Sequence, residues 1–266
     1  LGAGPDMTFP EVLAAPLLRE GLLVLARLVG VFWLLPFLGG RRAPAPLRLG
    51  LALTLTLLIV PAVERGAPSA PLWGLGFLAL LLRELALGLT LGFTASLLFQ
   101  GARMAGQTVD ALAGSSLARS LVPQTDDSSG LMADLTFQMA VVLFLTMGGH
   151  LLVLQGLAHS FVLLPPGGPP PWDSMADTIL RLTAHLFVVA LALAAPIIGA
   201  VILADATLGL MGRMAPGLSA YFLGLPLKAL LALVALALTL HGLVSQHLIP
   251  ALQEVAPLLK KLLGPP

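Results

Sequence analysis

The sequence predicts an all-α membrane protein of about six hydrophobic, partly broken helices arranged in hairpins. Three observations carry that expectation. The chain of 266 residues is 58% hydrophobic and only 10% charged, with a mean hydropathy of +0.98; an ordinary globular domain carries about 25% charged residues. A soluble fold of this size could not hide so much apolar surface. The apolar residues come in long blocks rather than in the alternation of a membrane β-barrel strand. Short Pro-, Gly- and Arg-containing turns separate the blocks.

Block one runs from about Glu11 to Phe37 and contains Arg19, Glu20 and Arg27. Arg27 has LLVLA before it and LVGVFWLL after it, so it should face protein or water rather than lipid. A snorkelling or paired arginine and a direct functional role both fit. Pro36 should end that helix, and a turn with Arg41, Arg42, Pro44, Pro46 and Arg48 follows. Block two, Leu49 to Val63, is short for a bilayer span. Block three runs from Leu72 to about Gln107. Within it Gly88, Gly92 and Ser96 recur every four residues and share one helix face, where another helix can approach closely. That partner could belong to this chain or to another subunit.

Block four, Leu131 to Leu164, carries Met147-Gly148-Gly149-His150, where a break is expected. Block five, Asp173 to Arg213, is too long for one simple span and should bend near Pro196. MAPGLSAYFLGLP reads as a second irregular stretch. Block six, Leu227 to about Leu248, begins beside Lys228, and an amphipathic tail closes the chain. The loops after blocks one, three and five hold more Lys and Arg, which would place them in the cytoplasm. The first basic residue is Arg19, so no charged leader region precedes the first apolar block. Met7 is a candidate start, which would make Leu1 to Asp6 an extension.

Between blocks three and four lies Gly106 to Gly130, GQTVDALAGSSLARSLVPQTDDSSG. It is a polar, Gly- and Ser-rich interruption flanked by the uncharged runs Leu85–Ala102 and Leu135–Trp172. Irregular backbone at membrane depth must be buried in protein or line a water-filled cavity, so this stretch reads as a pore-associated loop. Gly114, Ser115 and Ser116 would give it a hinge. Leu112, Leu117, Leu121 and Val122 would supply apolar contacts, and Pro123 would stop a helix from continuing.

Signs of catalysis are absent. The histidines are His150, His159, His185, His241 and His247, and neither HExxH nor HxxEH occurs. Cysteine is missing, which removes disulfides, thiolate zinc sites and thiol chemistry. Ser115 and Ser116 have no base at useful spacing, and no phosphate-binding loop is present. No metal or cofactor is expected. The intramembrane charges Arg27, Glu84, Asp205 and Lys228 keep an ion-coupled transporter open as an alternative. A structural role for them, each at or near a helix interruption, is the preferred reading. A net charge of +1 gives no argument for nucleic acid.

Taken together, the irregular stretches resemble the FliR family of the flagellar type III export gate and its relative SctT of virulence injectisomes. The resemblance is carried by Arg27, by Leu34-Leu35-Pro36-Phe37 with Gly39, by Arg41-Arg42-Ala43-Pro44 and by Arg48-Leu49-Gly50-Leu51-Ala52-Leu53. Its most specific part is Ala105-Gly106-Gln107, Asp110, Gly114-Ser115-Ser116-Leu117-Ala118 and Pro123-Gln124-Thr125. It continues in Phe144-Leu145, Gly149-His150, Ser160-Phe161 with Pro165, Arg213-Met214-Ala215-Pro216 and Gly224-Leu225-Pro226-Leu227-Lys228. Val122, Gly148, Ser219 and Tyr221 depart from the family pattern, so flagellar and injectisome membership both stay open.

The resemblance implies a domain over residues 11–250, between an N-terminal extension at 1–10 and a tail at 251–266. It implies a non-enzymatic subunit of a helical export-gate assembly in the bacterial inner membrane, at the flagellar basal body. The implied partners are FliP-, FliQ- and FlhB-like subunits and unfolded protein substrates. Residues 106–130 would be the plug of the closed channel.

Overall fold

The computed structural model describes residues 9–36, 44–62, 74–112, 130–214 and 220–242. These residues are helical throughout their regular parts, with no strand among them. The α-helices are α1 (Phe9–Leu34), α2 (Ala45–Ile59, followed by a short 3-10 turn), α3 (Leu75–Leu112), α4 (Leu131–Thr146), α5 (Gly149–Leu163), α6 (Trp172–Met214) and α7 (Ala220–Gly242). The expected extension and tail fall outside the described residues, except Phe9 and Pro10, which open α1.

The break expected in block four is present, and several other boundaries differ from the sequence expectation for local reasons. The apolar run of block four divides at Met147-Gly148. Gly148 takes φ +75°, and the Met147 and Gly148 amides donate to Leu143 O and Leu145 O at 3.0 and 3.1 Å. A left-handed glycine just past the last turn is a common way to end a helix. Helix α3 runs past Gln107 to Leu112, because Ala105 and Val109, four apart, are buried on one face and packing outweighs the polar composition. Helix α6 continues through Pro196 and α7 contains Pro226; residues 220–226 of the expected irregular stretch are helical. Proline costs a helical hydrogen bond, but apolar segments tolerate it when neighbouring groups satisfy the freed carbonyl.

The helices do not match a bilayer in length. At 1.5 Å per residue, α3 and α6 extend about 57 and 65 Å, against a hydrocarbon core of about 30 Å, whereas α2 extends only about 22 Å. Both α3 and α6 are apolar enough to cross a membrane, and the bent pair α4–α5 is a third candidate. Only 33% and 28% of the apolar windows of α3 and α6 are buried within the chain. Most of that surface is therefore left for lipid or another subunit to cover.

The described residues form two compact units, one from residues 9–96 and 150–179, the other from 97–149 and 180–242. In the first, α1 packs on α2, and Leu23, Val24, Leu28, Phe32, Leu87, Phe161 and Met175 lie in its buried interior. In the second, Ala105, Val109, Met132, Ala194, Ile197, Val201 and Ala232 form one core, drawn from α3, α4, α6 and α7.

Candidate functional site

The first unit is built around Arg27, which is 1% exposed, and Glu84, which is 0% exposed. Burying either charge alone would cost several kcal/mol, so their partners decide whether the site is stable. Arg27 Nε and Nη2 both lie 2.7 Å from Glu84 Oε2. Nη1 donates to Ser160 O at 3.1 Å and Nη2 to Leu164 O at 3.0 Å. These carbonyls sit at the C-terminal end of α5, which favours positive charge. Phe161 stacks under the guanidinium, 4.4 Å from its ring centroid to Cζ.

The other carboxylate oxygen, Glu84 Oε1, accepts the Gly167 amide at 2.8 Å. Arg83 donates to the Gly167 carbonyl, so two neighbouring α3 side chains grip both sides of one glycine. Gly167 can present both groups because Pro165-Pro166-Gly167-Gly168 is a tight turn. It is closed by Gly168 N donating to Pro165 O at 2.9 Å, with Gly167 at φ +85°. Proline second and glycine third is the pattern of a type II turn.

The approach of α1 to α3 is set by glycines. A Cβ on Gly30 would stand 2.6 Å from Leu85 O, one on Gly92 would stand 2.7 Å from Val31 O, and one on Gly88 would collide with the carbonyl of Arg27. Gly88 and Gly92 thus face α1 of the same chain. Ser96, 4% exposed, donates its hydroxyl to Phe93 O at 2.8 Å. The arrangement locks three helices together and offers a substrate no open polar surface.

The second unit contains the base of the expected loop. Asp110, 2% exposed, projects from the last turn of α3. Its Oδ1 accepts the Met132 amide at 3.2 Å and its Oδ2 the Ala133 amide at 3.0 Å. These are two of the first four amides of α4, which have no partner inside their own helix. Gly130, the residue preceding α4, supplies no side-chain cap, so the carboxylate comes from the neighbouring helix instead. One face of α3 continues the seam. Phe99 meets Phe144 edge-on at 5.0 Å. Arg103 lies 3.8 Å from Asp134 and 5.6 Å from the Phe137 ring. Gly106 lets the helices close, since a Cβ there would stand 2.5 Å from both Ala133 Cα and Met132 O.

Several sequence expectations are corrected here. Asp110 and Leu112 belong to a helix, not to an irregular loop, and Leu112 is 40% exposed. Gly114, Ser115, Ser116, Leu117, Leu121, Val122 and Pro123 lie outside the described residues. Arg27, Glu84, Asp205 and Lys228 all sit within helices rather than at interruptions. Lys228 pairs with Asp205, but Asp205 is 48% exposed, because it projects from an outward face of α6 beside exposed Ile202 and Leu203. It is not a buried charge of this chain. Sequence reasoning missed Gly30, Gly167 and the capping role of Asp110; the Pro-Pro-Gly-Gly run was the available signal for Gly167. Among the described residues no cluster of three His, Asp or Glu side chains could hold a metal.

Comparison with known proteins covers most of the chain. The family model described as bacterial export proteins, family 1, matches residues 18–249. Flagellar biosynthetic protein FliR of Escherichia coli (strain K12) is 32% identical over 203 residues, covering 76% of this chain and 77% of the relative. FliR of Bacillus subtilis (strain 168) is 29% identical over 218 residues, 81% and 83% of the two chains. Yop proteins translocation protein T of Yersinia pestis is 30% identical over 231 residues, 86% and 88%. With both the match and the relatives spanning the two helical units, the chain belongs to the bacterial export proteins of family 1, the FliR family, to which the injectisome T proteins are related.

Proposed function

We propose that this chain is a flagellar export-gate subunit. With FliP- and FliQ-like partners it forms the channel through which unfolded flagellar proteins leave, and an FlhB-like subunit adjoins it. The single observation that carries this reading is the similarity to flagellar FliR over 76% to 81% of the chain. The chain does no catalysis of its own, and partner machinery supplies the driving energy. It resides in the bacterial inner membrane at the flagellar basal body. Helices longer than a bilayer, with most of their apolar surface uncovered by the chain itself, suit a subunit enclosed by others.

The connection between α3 and α4 is the plug of the closed channel in this reading. The Gly- and Ser-rich sequence at 113–121 suits a seal that must reorganise, since loops have low local stability. Deleting Ala113 to Leu121 should leave assembly intact and make the membrane leak small ions, with slowed growth on expression. An assembled, ion-tight deletion variant removes the loop from that role.

A second reading, an SctT-type injectisome subunit, is favoured by the 30% identity to translocation protein T over 86% of the chain. Hook and rod genes beside this gene would support the flagellar reading, and needle-complex genes the other.

A further inference from the structure

Helix α2 is apolar around most of its circumference. Its buried residues are Ala52 and Thr56, four apart on one narrow strip, and α1 packs against the helix. Leu47, Leu49, Leu53, Leu57 and Leu58 are exposed. The helix also satisfies its own hydroxyls: Thr54 donates to Gly50 O at 2.9 Å and Thr56 to Ala52 O at 2.7 Å. Helix–helix seams in membranes favour small residues and interhelical hydrogen bonds. A face of bulky leucines with its hydroxyls turned inward suits acyl chains instead.

The first turns of α2 present a different surface. The Arg48 guanidinium carbon lies 5.4 Å from the ring centroid of Trp33 on α1, within the range of a cation–π contact. Trp33 is 64% exposed, and Arg48 Nε has no hydrogen-bond partner. The sequence from 21 to 63 holds Arg27, Arg41, Arg42 and Arg48 and no aspartate or glutamate. Glu84 neutralises Arg27, so positive charge is in surplus within this stretch. Tryptophan settles at the headgroup level of a bilayer, and arginine beside an apolar surface extends its charge towards the phosphates. At about 22 Å, α2 is longer than one leaflet of the roughly 30 Å hydrocarbon core but cannot cross both. With Arg48 at one interface, its leucines therefore end among acyl chains.

We propose that α2 is bedded in lipid and that Trp33 and Arg48 bind the headgroup of an anionic phospholipid, the guanidinium meeting the phosphate and the leucine face the acyl chains. The surplus of arginine over carboxylate selects an anionic headgroup. The site lies within one helical unit and does not depend on the export-gate reading.

The chain has no cysteine, so Leu49→Cys carrying a fluorophore reports on α2 at one position. The full labelled chain is assembled with cysteine-free FliP- and FliQ-like partners in phosphatidylcholine vesicles. Nitroxide-labelled lipid is then added in increasing fraction, as phosphatidylglycerol in one series and phosphatidylcholine in the other. Both should quench, with half-quenching at a several-fold lower fraction of phosphatidylglycerol. Arg48→Gln should bring the two series together, and Arg48→Lys, which keeps the charge, should retain most of the preference. Trp33→Leu, which keeps an apolar contact and removes the ring, should reduce it. Equal quenching by the two lipids in the otherwise unsubstituted chain overturns the proposal, as does a preference that survives Arg48→Gln or is lost in Arg48→Lys. Protection from both lipids, as a covering protein helix would give, overturns it as well.

Discussion

At the residue scale, the buried pair of Arg27 and Glu84 is held by geometry rather than by charge alone. Each of its groups has a partner: the guanidinium spans Glu84, Ser160 and Leu164, and the carboxylate spans Arg27 and Gly167. Removing one partner from a buried ion pair typically costs about 3–5 kcal/mol, because the other charge is left stranded, whereas replacing both can be nearly neutral. Arg27→Met and Glu84→Met should therefore each lower the thermal stability of the assembled complex more than the double substitution does. Simple addition of the two losses would show that no coupling exists between them. Both residues were legible in the sequence, since a charge inside an apolar block stands out. Their pairing was not, because 57 residues separate them and two of the partners are backbone carbonyls, which carry no sequence signature.

At the scale of the element, α3 organises both units, and its two halves use one device. The first half presents Glu84, Gly88 and Gly92 to α1, and the second presents Phe99, Arg103, Gly106 and Asp110 to α4. A methyl group on Gly88 would meet the Arg27 carbonyl, a backbone atom that can move only with its helix. Gly88→Ala should cost about 1–3 kcal/mol through overpacking. Gly76→Ala, where a Cβ meets nothing within 4 Å, should be neutral or mildly stabilising. Equal melting temperatures for the two variants would count against a tight α1–α3 seam. The four-residue spacing of the small residues was readable in advance, but the identity of the facing helix was not. Gly30 on that helix gave no periodic signal. The same limit explains the boundary at Leu112. Polar residues such as Gln107 and Thr108 suggested a linker, whereas the buried Ala105 and Val109 hold the turn in helix.

At the scale of the whole molecule, an apolar chain leaves much of its surface unpaired with itself. Leu51, Leu53, Leu57 and Leu58 of α2 are all exposed, although that helix is too short to span a bilayer. Leu227, Leu230, Leu233 and Leu238 of α7 are exposed as well. The fold class was legible because composition and block length speak directly to membrane insertion. What covers these faces was not, since lipid and a partner helix are equally apolar. On the proposed function, partner helices cover part of these faces and the chain is an obligate subunit. The most direct measurement is co-expression of the chain with the FliP- and FliQ-like proteins of the same genome, followed by native mass spectrometry of the detergent-solubilised product. One defined complex containing this chain, together with heterogeneity or degradation of the chain expressed alone, is the expected result. A monodisperse monomer that transports an ion in liposomes by itself would contradict the export-gate reading.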